Sequence, residues 1–173
     1  MNLLRRNLLL GAAGIAAGGL GIWASLRGFE TADHADLTPL WAAQFRDLDG
    51  KPLAMASLRG QPLIINFWAS WCAPCLEEMP DFQRFSQGPG GKKAKIVGIG
   101  IDTADKMLPF AKKLGISYQL VEAGAKGLDI LTAAGDKPRV LPFTLVVDSS
   151  GNAVFRKIGK LDHDQLSEIA AKL

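Results

Sequence analysis

Leu63-Ile64-Ile65-Asn66-Phe67-Trp68-Ala69-Ser70-Trp71-Cys72-Ala73-Pro74-Cys75 decides how this chain is read. Its first six residues are a short apolar run of the kind found in a strand covered on both faces. Its last four hold the only two cysteines of the 173 residues. Beyond them Leu76, Met79, Phe82 and Phe85 recur at helical spacing, so a helix is expected over Cys75 to Ser86, with Glu77, Glu78 and Asp81 early in it. Pro80 should kink that helix, because proline removes a backbone donor and crowds the preceding turn.

A Cys-x-x-Cys between a buried strand and a helix start is a redox motif. At a helix N-terminus, unpaired N–H groups and the helix dipole stabilise a thiolate. A thiol pKa of about 8.5 falls to roughly 3.5 to 7.5 in such places, and only the thiolate attacks. Pro74 stiffens the turn at an early helical position where its missing N–H costs little. Cys72 is therefore expected to be the nucleophile that forms a mixed disulfide, and Cys75 the resolving thiol. A purely structural disulfide would close a tiny loop and constrain the unfolded chain little. Zinc would need more ligands, and the chain has only His34 and His163. A copper-delivery domain would be expected to place three residues between its cysteines and to carry a distal histidine. No cofactor is expected beyond the redox-active Cys72–Cys75 disulfide.

Working outward, Leu40 to Arg46 and Lys51 to Ser57 around Asp49-Gly50 read as a small edge hairpin. Downstream, Gln87 to Gly91 reads as a loop, Lys95 to Asp102 as a second buried strand, and Ala104 to Leu114 as a helix ended by Gly115. A short strand over Ser117 to Val121 and a helix over Lys126 to Ala134 follow, then a connection from Asp136 to Leu141. Phe143 to Asp148 and Ala153 to Ile158 form a hairpin, and Asp162 caps a closing amphipathic helix. The order predicts an α/β fold with a mixed central sheet flanked by helices, similar to thioredoxin.

The formal charge of +3 includes Arg5 and Arg6, so 3 − 2 leaves +1 for the remainder. Lys92-Lys93 and Lys112-Lys113 are scattered without an aromatic-rich basic stripe, and no nucleic-acid partner is expected. One disulfide at most means that the fold stands on its core. Leu8 to Leu26 is an uncharged run about as long as a hydrocarbon core is thick. Both arginines precede it, which puts Met1 in the cytoplasm by the positive-inside rule. Residues 1–27 thus read as a transmembrane signal-anchor in the bacterial inner membrane, 28–39 as a tether, and 40–173 as a domain on the periplasmic side. No clean A-x-A site follows the run, which favours an uncleaved anchor, although Arg5-Arg6-Asn7-Leu8-Leu9 also fits a twin-arginine export signal.

Asn66 through Cys75, followed by Glu78-Met79-Pro80, resembles the TlpA/ResA group of membrane-anchored, thioredoxin-like thiol:disulfide oxidoreductases. The match runs over Leu40 to Leu173. The resemblance implies that Leu141-Pro142 is a cis X-Pro bond facing the disulfide, so that the backbone beside it can pair with an incoming peptide. Trp71, Ala73, Pro74, Leu141 and Pro142 would then form the substrate surface. It also implies an acidic residue near the cysteines at Glu78, read either as a proton acceptor for the resolving thiol or as a surface glutamate favoured by the helix N-terminus. Trp68 reads as core and Trp71 as the rim of the disulfide.

The activity implied is reduction of disulfides in specific exported proteins, of the cytochrome c maturation type, with electrons from a transmembrane donor of the DsbD/CcdA type. Direction is not in the motif, so a thiol oxidase, a thiol peroxidase of the same fold and a non-catalytic tethered binding module stay open. Two departures from thioredoxin stand out. Asn66 replaces the buried aspartate of the central strand, and Ala104 to Val121 fits a central helix-strand insertion.

Overall fold

In the computed structural model, which describes residues 35–173, Leu63–Trp68 forms strand β3 and all six of its residues are buried. The segment read as a membrane anchor, residues 1–27, and the tether as far as residue 34 lie outside the described residues. Among the described residues no helix is long and apolar enough to cross a membrane. The elements run α1 (Thr38–Ala42), β1 (Gln44–Asp47), β2 (Pro52–Ala54), β3, α2 (Ala73–Gln87), β4 (Lys95–Gly100) and α3 (Ala104–Lys113). They continue with β5 (Gln119–Glu122), α4 (Lys126–Ala133), β6 (Phe143–Val147), β7 (Ala153–Ile158) and α5 (His163–Ala170).

These strands form one sheet in the order β2-β1-β5-β4-β3-β6-β7. Neighbours β3, β4 and β5 are parallel, while β1, β6 and β7 pair antiparallel, which makes the sheet mixed. Parallel neighbours need a crossover, and α2 and α3 supply the two. Phe67 pairs with Phe143 in the antiparallel register of β3 and β6. Continuing that register sets Leu141-Pro142 beside the chain that leaves β3 toward Cys72, so the topology alone brings the two parts of the site together.

Alternation along β3 sends Ile64 and Asn66 to one face and Leu63, Ile65 and Phe67 to the other. Ile64 packs in a cluster with Phe82 and Phe85 of α2 and with Leu166 and Ile169 of α5. Burying each such side chain contributes about 1.5–3 kcal/mol. Leu63, Ile65 and Phe67 belong to the second cluster, with Leu40 and Trp41 of α1 and Leu131 of α4. The last helix begins as expected, at an Asp162 cap completed by Gln165 in a reciprocal capping box.

Two elements differ from the sequence expectation. Leu40 and Trp41 lie in helix α1 with a proline in its first turn, and the first strand starts only at Gln44. Both residues are buried. A strand would point these neighbours to opposite faces, whereas a helical turn lets both reach one cluster. The hairpin at the sheet edge survives in shortened form, with Gly50 at φ +84° in its turn. The loop after α2 contains a short 3₁₀ helix, Pro89–Lys92.

Candidate active site

Helix α2 starts at Ala73 with Cys72 as its N-cap. Cys72 and Cys75 are joined as a disulfide with their Cα atoms 5.3 Å apart. The Cys75 N–H donates to Cys72 Sγ at 3.3 Å. An N-cap oxygen normally takes this bond; here the acceptor is sulfur, so the same donor faces a Cys72 thiolate. Ala73 and Pro74 are exposed in the first turn, and Trp71 is 70% exposed just before Cys72. Cys75 is fully buried, and Cys72 retains slight exposure. Of the two cysteines, Cys72 is the one that faces the surface.

The loop carrying Trp71 is held from the connection between β4 and α3. Ser70 Oγ donates to Asp102 Oδ2, and the Thr103 N–H donates to Asp102 Oδ1 at 3.0 Å. Lys106 Nζ lies 3.4 Å from the same carboxylate. Burial pushes the Asp102 carboxyl up, but the bonds from Ser70 and Thr103 and the Lys106 charge outweigh it and hold the pKa below the ordinary value.

Glu78 is only 2% exposed, which corrects the reading of it as a surface residue. Its Oε1 accepts from Asn66 Nδ2 at 2.7 Å, and its Oε2 accepts from the Leu161 N–H at 2.9 Å. Asn66 Nδ2 also reaches Thr144 Oγ1 at 3.3 Å. Desolvation in the interface between α2 and the sheet pushes the Glu78 carboxyl from 4.5 to about 7, against the pull of Leu161, Asn66, Lys160 and Lys157. Such a group changes protonation near neutral pH, as a general base or acid must. Glu78 follows the buried Cys75 by one helical turn.

The Leu161 N–H is delivered by the connection from β7 to α5. Gly159 N–H donates to the Pro142 carbonyl at 2.8 Å, and Lys160 Nζ pairs with Glu77 Oε2 at 2.6 Å. Three consecutive residues thus tie the start of α2 to Pro142. The Lys160–Glu77 pair is exposed and contributes little by itself; the two main-chain bonds carry the tie. The Leu141–Pro142 bond is cis. Pro142 is buried and Leu141 half-buried. No hydrogen bond links the Leu141 main chain to another described residue.

The motif supplies Trp71, Cys72, Ala73, Pro74 and Cys75, and the family resemblance supplies Glu78, Leu141 and Pro142; helix α2 and the continued register of β3 and β6 set them at one end of that strand pair. Sequence reading did not find Asn66 and Leu161 as partners of Glu78, nor Asp102 behind Ser70. A polar asparagine within a run buried on both faces was the available signal, since a buried amide needs partners.

A thioredoxin-like sheet whose buried strand leads into a Cys-x-x-Cys disulfide at a helix N-terminus defines a thiol-disulfide oxidoreductase. Residues 35–170 match the AhpC/TSA family, and the chain belongs to that family, within it to the thiol-disulfide oxidoreductases of the ResA type. It is 30% identical over 128 residues to the thiol-disulfide oxidoreductase ResA of Bacillus thuringiensis (strain Al Hakam), covering 73% of this chain and 72% of that one. It is 35% identical over 122 residues to the thiol:disulfide interchange protein HelX of Rhodobacter capsulatus, covering 68% of this chain and 64% of that one. Among solved structures, a thiol:disulfide interchange protein of the thioredoxin family from Chlorobium tepidum TLS superposes with a TM-score of 0.67 at 27% identity, covering 75% of this chain and 91% of that one.

Proposed function

We propose that this chain is a periplasmic protein-disulfide reductase, anchored in the inner membrane through residues 8–26, that passes electrons to disulfides of specific exported proteins. The observation that carries the reading is the buried Glu78, bonded to Asn66 and Leu161 one helical turn beyond the buried Cys75. A group titrating near neutrality beside a buried thiol serves the second step of exchange, in which that thiol must lose its proton.

The cycle begins with both cysteines reduced. The Cys72 thiolate, stabilised by the Cys75 N–H, attacks one sulfur of the partner's disulfide; a Cys72–partner bond forms, and the partner's other sulfur leaves as thiolate. Glu78 takes the proton of Cys75, whose thiolate then attacks Cys72 Sγ. The internal disulfide forms, the partner's second sulfur leaves as thiolate, and two electrons have moved from this chain to the partner. A transmembrane dithiol donor of the DsbD/CcdA type then reduces Cys72–Cys75 by the reverse exchange. Trp71, Ala73 and Pro74 form the exposed rim against which the partner rests. The Leu141 main chain, beside Pro142, offers its N–H and C=O to an extended partner segment, as in strand addition. Cytochrome c maturation substrates, presented as exported cysteine pairs, are the partner class that this reading favours.

Equilibrating the protein with a dithiol buffer tests the direction. A reductase is expected to have a potential near the thioredoxin end, roughly −270 mV, and thiol trapping in cells should find Cys72 and Cys75 reduced. A potential near −120 mV with a mainly oxidised pool would make the protein an oxidase.

A further inference from the structure

The connection from α4 to β6 runs through Asp136 to Leu141-Pro142, and its best-anchored group is a carboxylate that the exchange chemistry does not use. Asp136 is 0% exposed. Its Oδ2 accepts from the Val140 N–H at 2.7 Å. Its main-chain carbonyl accepts from the Arg139 N–H at 3.2 Å, and its own N–H donates to the Leu131 carbonyl at 3.1 Å. Asp136 Oδ1 has no hydrogen-bond partner among the described residues. Burying a carboxylate is costly unless its bonds compensate, and desolvation holds this one above its ordinary pKa despite the N–H groups of Val140 and Arg139.

At one of the two residues whose N–H Asp136 holds, the backbone is strained. Arg139 has φ +58°, the left-handed region that a non-glycine residue enters only at a cost. Its side chain is held on α4, with Nε donating to Thr132 Oγ1 at 2.9 Å and the guanidinium 3.4 Å from Asp129 Oδ1. Strain of this kind persists where the surroundings over-determine it, and it concentrates at functional sites. Its product is a turn that leaves Val140 exposed and lays Leu141 next to Pro142.

We propose that Asp136 is the positioning residue for partner docking: by holding the Val140 N–H it sets where the Leu141 main chain lies, and so where an extended peptide segment pairs beside Cys72. This rests on the exchange reading above and adds to it a carboxylate that acts through the loop without touching the reacting sulfurs. Positioning through one main-chain bond affects a peptide that must pair with the loop, and leaves untouched a small dithiol that needs only the sulfur.

The test uses the full-length protein with two probes: a synthetic extended peptide closed by one disulfide, which oxidises the reduced protein, and dithiothreitol, which reduces the Cys72–Cys75 disulfide. Asp136→Ala is expected to raise the peptide KM about tenfold, the effect of one lost bond to a charged acceptor, with kcat and the dithiothreitol rate unchanged and with faster hydrogen exchange at the Val140 amide. Asp136→Asn, which keeps an oxygen acceptor in place, is expected to restore the peptide KM to within about twofold. Asp136→Ser, whose shorter hydroxyl does not reach the Val140 N–H, is the second variant should Asp136→Ala fail to fold, and is expected to show the same peptide-only defect. An unchanged peptide KM in the Ala or Ser variant overturns the proposal, as does an equal slowing with both probes. If the unaltered protein reacts with dithiothreitol and never with the peptide, the partner-exchange reading itself fails, and this one with it.

Discussion

Glu78 Oε1 accepts a 2.7 Å hydrogen bond from Asn66 Nδ2 across the interface between the active-site helix and the central strand. The carboxyl of this site is therefore carried by the helix, while the strand supplies a neutral donor in place of a second acid. Because asparagine cannot titrate, the pair holds a single proton equilibrium, governed by burial against two hydrogen bonds and the Lys160 and Lys157 charges.

That equilibrium should be visible in the resolving step. In the unaltered protein, release of the partner from the Cys72 mixed disulfide should accelerate with an inflection near 7, where Glu78 loses its proton. Glu78→Gln should remove the inflection and slow release at neutral pH by at least about tenfold. Rapid acid quench followed by separation of the mixed disulfide measures both.

Asn66→Ala takes away a bond that favours the ionised carboxylate. The Glu78 pKa should then rise further, by about one unit, moving the inflection to the alkaline side. Carboxyl-resolved NMR titration of the oxidised protein reports this directly.

Stability should follow the same group with a definite sign. Folding raises the Glu78 pKa from 4.5 to about 7, so between those values the folded state binds more proton than the unfolded chain. Stability is then fullest below 4.5, falls as pH rises through that window and levels off above about 7. The whole effect is of order 3 kcal/mol. Urea unfolding of oxidised Glu78→Gln should show a flatter curve than the unaltered protein over this window.

Trp71 is 70% exposed, so Trp71→Ala should change unfolding free energy by no more than about 0.5 kcal/mol. If it is a docking residue, the KM for a disulfide peptide should still rise about fivefold, as expected for an exposed aromatic that becomes covered by a partner. Paired urea titrations and peptide kinetics check the two halves.

What sequence reasoning could reach follows the range of each interaction. Leu63–Trp68 and the cysteines after it form a local signal, because an apolar run and a helix start a few residues apart are read from one window. Leu40 and Trp41 were beyond it: α1 has five residues, too few for a helical period to appear. Glu78 could be placed on a helix near Cys75, yet its burial depends on Asn66, 12 residues earlier, and on the Leu161 N–H, 83 residues later. Asp136 lay in a stretch without periodicity, and its role depends on backbone angles at Arg139 that residue identity does not announce.

The central claim is that Cys72 attacks and Cys75 resolves, and trapping tests it most directly. Cells producing the Cys75→Ser protein should accumulate mixed disulfides between Cys72 and exported proteins, released by dithiothreitol and absent from Cys72→Ser. If Cys75→Ser traps no partner, or Cys72→Ser traps as much, the assignment of the two cysteines is wrong.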